Sequence, residues 1–237
     1  MLLGIDEGNT NIKVAQYSIA GKINQIKQFK STADFFQEYS SIDNHKFLVC
    51  SSRSPSLSVI KRIQKKLVFE LNDKTQIPFS SKYQTNELGA DRIAGIYGAM
   101  SQFSAPFILV SIGTCITYNL VNSENVFLGG GISPGIGLRL RSMYEFTGRL
   151  PQIDFSYENT ISKAHNTKNA MLSGALEGIL LELDGWIETY QKEHDHLKII
   201  FTGGDAQFFE KLLKKKIFVR PNLNFVGLYS LYKFDQK

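Results

Sequence analysis

Cysteine, tryptophan and proline are all scarce: two cysteines, one tryptophan and six prolines in 237 residues. Cys50 and Cys115 each sit inside an apolar run. A disulfide framework is therefore excluded, and a reducing, cytoplasmic compartment is expected. No apolar stretch approaches the ~18 residues needed to cross a bilayer, and the opening Met1–Ile5 run carries no charged leader. Neither a membrane partner nor a signal peptide is expected. There is no low-complexity tract and no long linker. The chain is 43% hydrophobic and 21% charged, the composition of a folded protein, and its length suits two domains.

The charge is mildly basic, with a formal net of +5 and a pI near 9.0. That balance suits an anionic small molecule and also nucleic acid. Much of the excess sits in Lys211, Lys214, Lys215 and Lys216, beside the apolar Leu212 and Leu213. This spacing reads as a solvated helix face rather than a nucleic-acid patch.

The opening reads strand, turn, strand: Met1–Ile5, the turn Asp6-Glu7-Gly8-Asn9-Thr10, then Ile12–Ser18. Gly21-Lys22 turns into a third strand, Ile23–Lys30. Phe35–Tyr39 is expected as a short helix, Lys46–Cys50 as a buried strand, and Leu57–Leu67 and Asp91–Phe103 as amphipathic helices. The pattern then restarts. Phe107–Val110 leads into Ser111-Ile112-Gly113-Thr114, and Cys115–Val121 returns as a strand. Two such units, roughly a hundred residues apart, indicate a duplicated α/β fold divided into residues 1–104 and 105–237. Gly129–Gly137 reads as a glycine-rich loop, Leu138–Phe146 and Ala170–Gln191 as helices, and Lys198–Thr202 as a strand ending in Gly203-Gly204-Asp205.

Three glycine turns after strands suggest phosphate chemistry. A glycine lets backbone N–H groups approach an anion closely, and a carboxylate at a strand end can hold Mg²⁺. In the first turn Asn9, Thr10 and Lys13 add donors for the same phosphates. Gly113 and Thr114 offer a second such turn, and Gly203-Gly204-Asp205 fits the adenosine side of an actin-like nucleotide site. There is no Gly-x-x-x-x-Gly-Lys-Ser/Thr run and no dinucleotide fingerprint. On the acceptor side, Leu88-Gly89-Ala90-Asp91-Arg92 places an acid beside a guanidinium at a helix start. A carboxylate there orients or deprotonates an attacking hydroxyl, and the arginine grips a carboxylate. The plainer alternative is an ordinary helix start with Arg92 solvated.

His194-Asp195-His196 lacks third and fourth ligands and reads as a solvated loop. Trp186 falls among Ile179, Leu180 and Leu183 and reads as core; Cys115 reads as a small buried hydrophobe. Arg139, Arg141 and Arg149 suit a partner subunit and a solvated face equally.

In order, Asp6-x-Gly8-Asn9-Thr10 with Lys13, Gly89-x-Asp91-Arg92, Gly113-Thr114, Gly129-Gly130-Gly131-Ile132-Ser133-Pro134-Gly135, Asn166-Thr167, Ser173-Gly174 and Thr202-Gly203-Gly204-Asp205 resemble the motif series of type III pantothenate kinases. The resemblance covers about residues 1–228. It implies duplicated ribonuclease H-like (actin-like ATPase) domains with a nucleotide cleft between them, and transfer of the γ-phosphate of ATP to pantothenate, the first step of coenzyme A synthesis. It also implies a homodimer that uses Mg²⁺ and a monovalent cation, K⁺ or NH₄⁺. By that resemblance Asp6 holds Mg²⁺, and Gly8, Asn9, Thr10, Lys13, Gly113 and Thr114 meet ATP phosphates. Asp91 is the general base, and Tyr83, Gly89, Arg92 and Thr167 bind pantothenate. The glycine-rich loop and the helix after it resemble the dimer-forming part.

The chain departs from the family at Ser111, where the second turn usually opens with aspartate, and at Asn119, often aspartate in the family. Ser111 stands at the monovalent-cation position without its carboxylate, which leaves far less Coulomb attraction for a cation. A kinase for another hydroxyl acceptor and a non-catalytic regulator on the same fold remain the alternatives at this level.

Overall fold

The computed structural model describes residues 1–8, 10–51, 57–72, 74–84, 87–158 and 164–236. In chain order the elements begin with β1 (Leu2–Glu7), β2 (Ile12–Tyr17), β3 (Ile23–Phe29), α1 (Thr32–Glu38), β4 (Lys46–Ser51), α2 (Leu57–Ile63), β5 (Leu67–Leu71), β6 (Ser80–Ser81) and α3 (Ala90–Met100). They continue with β7 (Phe107–Ile112), β8 (Cys115–Val121), β9 (Val126–Gly129), β10 (Ile132–Pro134), α4 (Ile136–Glu145) and α5 (Thr167–Glu193). The last are β11 (Lys198–Thr202), α6 (Ala206–Leu212), β12 (Ile217–Val219) and α7 (Leu223–Asp235).

The chain forms two compact units. The first comprises Met1–Ser104, Asn125–Leu128 and Asn222–Lys237; the second comprises Ala105–Glu124 and Gly129–Pro221. The second unit opens at Ala105, and the chain's last stretch belongs to the first unit. Backbone contact explains this. A Cβ added at Gly227 of α7 would lie 1.7 Å from the Ala94 carbonyl oxygen of α3, and one at Gly98 of α3 would lie 2.3 Å from that of Leu223. Tyr17 of β2 also donates a hydrogen bond to the Phe225 carbonyl at 2.7 Å.

The same strand order appears in both units. In the first it is β3-β2-β1-β4-β5, antiparallel across β1, β2 and β3 and parallel across β1, β4 and β5. In the second, β10 pairs antiparallel with β8, β8 antiparallel with β7, and β7, β11 and β12 run parallel. A duplicated fold is thus visible in the register itself.

β7 is buried along nearly its whole length, Phe107 through Val110 and Ile112, as a central strand covered on both faces must be. In the first unit Leu3, Ile5, Val14, Phe35, Phe47, Val49 and Ile63 form one apolar cluster. Each such side chain contributes about 1.5–3 kcal/mol when buried. α1 begins at a reciprocal cap, where Ser31 accepts from the Asp34 N–H and Asp34 accepts from the Ser31 N–H.

Two sequence expectations change. The helix expected over Leu57–Leu67 ends at Ile63, and Leu67–Leu71 becomes β5, because its apolar run completes the sheet beside β4. The glycine-rich stretch is no free loop either: Ile132–Pro134 forms β10.

Candidate active site

The first turn follows directly from strand pairing. β1 and β2 set Asp6 opposite Lys13, while β4 sets Cys50 beside Asp6 on the other side. The Gly8 N–H donates to the Asn11 carbonyl at 3.1 Å and closes the turn. Thr10 is exposed at its tip, and Asn9 lies outside the described residues. Asn224 of α7 donates to Asp6 Oδ2 at 3.2 Å.

Asp91 occupies the first turn of α3, whose N-cap is Gly89. A Cβ at Gly89 would stand 2.7 Å from Asp91 Oδ1, so glycine leaves the carboxylate room to fold back over the helix start. There it accepts hydrogen bonds from its own N–H and that of Arg92. Arg92 is buried, with its guanidinium 5.3 Å from the Tyr83 ring centroid and 5.6 Å from that of Phe127. Tyr83 is placed by Ser81, whose hydroxyl accepts from the Tyr83 N–H and donates to its carbonyl, each at 3.0 Å.

The two carboxylates influence each other. Both are recessed among protein groups yet keep some accessible surface. Loss of water raises Asp6 to a pKa of about 6, repulsion from Asp91 adds to this, and Asn224 and Lys13 oppose it. Asp91 is also raised, chiefly by desolvation, against the pull of Arg92. A paired carboxylate site with an adjacent lysine and arginine is what a cation and a phosphorylated substrate would relieve. Asp6, Lys13, Tyr83, Gly89, Asp91 and Arg92 are thus gathered in the first unit. Asn224 was not foreseen, since nothing marked the C-terminal stretch as part of this unit.

The remaining predicted positions lie in the second unit. Ser111 pairs in register with Thr117 of β8 and Thr202 of β11. The Gly113 N–H bonds the Cys115 carbonyl at 3.0 Å, and Thr114 is exposed. Asn119 is buried, and its amide donates to the Leu109 carbonyl and to Thr117 Oγ1, both at 3.2 Å. An ionised aspartate could not donate to the Leu109 carbonyl, so asparagine suits this interior. Thr167 is the first residue of α5, exposed, just after the cap Asn166, which accepts from the Asn169 N–H at 2.9 Å.

The other sequence candidates have structural roles. Arg139 pairs with Glu182 and donates to the Pro134 carbonyl. Trp186 is half-buried and stacks on Tyr118 at 4.8 Å. Lys215 from the basic run bridges Asp184 at 2.9 Å and Glu188 at 3.4 Å, so part of that charge is neutralised on α5. No described helix is long and apolar enough to cross a membrane.

A sequence model of the type III pantothenate kinase family matches residues 2–189. The type III pantothenate kinase of Cytophaga hutchinsonii is 33% identical over 238 residues, 99% of this chain and 100% of that one. That of Christiangramia forsetii is 34% identical over 244 residues, covering 100% and 99%. Among solved structures, a Campylobacter jejuni protein described as a Baf family transcriptional activator aligns with a TM-score of 0.69 at 24% identity, covering 99% and 98%. The activator of the 2-hydroxyisocaproyl-CoA dehydratase from Clostridium difficile, solved with bound ADPNP, gives 0.54 at 12% identity, covering 99% and 94%. At those identities the structures speak for the fold alone, the duplicated actin-like ATPase architecture. The full-length likeness and the family model together make this chain a member of the type III pantothenate kinase family.

Proposed function

We propose that this protein is an ATP-dependent pantothenate kinase that makes 4′-phosphopantothenate, with Asp91 as general base. The observation that carries the reading is the recessed Asp6–Asp91 pair, flanked by Lys13 and Arg92, in a chain of this family. Phosphoryl transfer is mostly positioning and charge neutralisation, and these residues divide that work. Ionised Asp91 accepts the proton of the pantothenate hydroxyl as the hydroxyl oxygen attacks the γ-phosphorus, and the bond from that phosphorus to the bridging oxygen breaks to release ADP. Arg92, set against the neighbouring rings of Tyr83 and Phe127, receives the pantothenate carboxylate, with Gly89 as a further contact in the same unit. By likeness to the family, Lys13, Gly8, Asn9 and Thr10 are the phosphate-binding residues of the first unit, and Gly113 and Thr114 are those of the second.

Asp6 fits a magnesium ion, because its ionised form is disfavoured by burial and by Asp91 until a cation arrives. Among the described residues no group of three or more His, Cys, Asp or Glu side chains is set to hold a metal. Phosphate oxygens and water would complete the shell of an ion held by Asp6. When bound, magnesium neutralises phosphate charge. Ser111, level with Thr117 and Thr202, offers K⁺ or NH₄⁺ only neutral oxygens, a weak and unselective site. The homodimer of the family is supported here by exposed apolar side chains on neighbouring elements: Ile132 of β10, Leu138 of α4, Leu181 of α5, and Phe146 just beyond α4.

The test is ADP release with ATP, Mg²⁺ and K⁺, in the presence and absence of pantothenate and of other small alcohols, with products identified by mass. Release that requires pantothenate and yields its phosphate ester is expected. Phosphorylation of another alcohol with none of pantothenate, or no product from folded protein, contradicts the proposal. Exchanging K⁺ for Na⁺ is expected to change the rate less than about twofold, since Ser111 supplies no charge to a monovalent ion. A loss of tenfold or more would show that the second unit still builds a selective cation site.

A further inference from the structure

In the second unit the third glycine turn lies against the second. Thr202 and Ser111 are register partners at the ends of the parallel strands β11 and β7. The Asp205 N–H donates to the Ile112 carbonyl at 3.1 Å, and Gly203, at φ +95°, would bring a Cβ within 2.2 Å of that same oxygen. The fold therefore requires glycine at 203. Gly113 and Gly204 are different: neither has a positive φ, and a Cβ at either would meet nothing within 4 Å. Two glycines on open space at the ends of parallel strands leave room for a ligand to approach the backbone closely.

Beside this pair of turns lies an aromatic group with no other evident duty. The Tyr157 hydroxyl donates to Asp205 Oδ1 at 2.6 Å. The Tyr157 ring meets Phe155 at 5.3 Å and Phe208 at 5.5 Å, and Phe155 meets Phe208 at 5.5 Å. Phe155 and Phe208 are half-buried and brace the tyrosine, which keeps 57% of its surface exposed. An exposed ring, fixed at its hydroxyl and propped by two others, is a preorganised flat surface. The hydrogen bond to Asp205 also ties it to the turn, so its position follows the turn's.

We propose that Tyr157, braced by Phe155 and Phe208 and anchored to Asp205, is the stacking surface for the base of the nucleotide whose phosphates lie at Gly113 and Thr114. This rests on the kinase reading above and adds the residues that hold the nucleoside. A ring face accepts any base, so the platform supplies affinity with little discrimination among bases. Asp205 keeps a second oxygen as a pure acceptor, suited to a ribose hydroxyl.

The experiment compares ATP with inorganic tripolyphosphate, which carries the phosphates without a base. Binding of each to the full chain is measured by calorimetry in Mg²⁺ without pantothenate, so the result is independent of which alcohol is phosphorylated. Tyr157→Ala should weaken ATP about tenfold and GTP by a similar factor, with tripolyphosphate unchanged. Tyr157→Phe, which keeps the ring, should restore most of the lost ATP affinity. Gly204→Ala should also weaken ATP while the melting temperature holds, because no neighbour stands in its way. Unchanged ATP affinity in Tyr157→Ala overturns the proposal. So does an equal loss for ATP and tripolyphosphate, which would make the tyrosine a strap for the turn and not a surface for the base.

Discussion

Burying a carboxylate beside another carboxylate costs stability by an amount that depends on pH, and Asp6 shows how a site can store that cost. Its pKa rises from 3.8 to about 6, so folding is favoured by the protonated form. Below about pH 3 the group is neutral folded and unfolded, and the penalty is absent. The penalty grows as pH climbs and is complete above about pH 6, where it reaches at most about 3 kcal/mol; the accessible part of the carboxylate trims this. Asp6→Asn should therefore stabilise the metal-free protein at about pH 8, and the gain should vanish near pH 3, read from urea midpoints in chelator. Added Mg²⁺ and ATP should stabilise the original protein and not the variant. If Asp6→Asn is destabilising at pH 8 in chelator, the carboxylate is structural and not held ready for a cation. The carboxylates and cations of this site were legible because turn chemistry keeps Asp6, Gly8 and Lys13 close in sequence, and a helix start does the same for Gly89, Asp91 and Arg92. Asn224 was not legible: it reaches Asp6 from a helix more than two hundred positions away along the chain.

Whole elements depend on close backbone approach as much as on apolar pattern. α3 and α7 touch where Gly98 and Gly227 remove every side-chain atom between them. Gly227→Ala forces a Cβ into the Ala94 carbonyl, and such overpacking costs about 3 kcal/mol. For a chain of this size the melting temperature should fall by about 6–12 °C, measurable by calorimetry. A change under about 2 °C would mean that the helices part easily. A second element-level device holds the glycine-rich stretch. Glu182 of α5 accepts from Tyr118 of β8, Ser133 of β10 and Arg139 of α4. β10 leads into Gly135, whose N–H bonds the Thr114 carbonyl at 3.0 Å. Glu182→Ala should leave Arg139 and Tyr118 short of an acceptor and destabilise by about 2–3 kcal/mol. The long periodic helices α3, α4 and α5 were readable within a few residues of their ends. β5, β6, β9 and β12 were not, since strands of two to five residues carry too few alternations to announce themselves, and partners distant in sequence decide them.

At the scale of the whole molecule, duplication was visible in the sequence because both halves repeat the strand–glycine turn–strand pattern. The return of the C-terminal helix to the first unit was invisible, because only tertiary contact with α3 specifies it. The apolar residues left exposed on β10, α4 and α5 belong to the same scale. Leu181 is 73% exposed, and Leu181→Glu should convert the proposed dimer to a monomer in sedimentation velocity without unfolding it. A monomeric original protein at micromolar concentration would contradict the paired assembly.

The account stands most directly on Asp91. Wild-type and Asp91→Asn proteins, both shown to be folded and to bind ADP equally, are supplied with ATP, Mg²⁺ and pantothenate, and the rate of 4′-phosphopantothenate formation is followed by mass. Loss of the base should slow formation by about 10²–10⁴-fold. A variant that turns over at near the original rate would contradict the assignment of Asp91 and, with it, the chemistry built around the carboxylate pair.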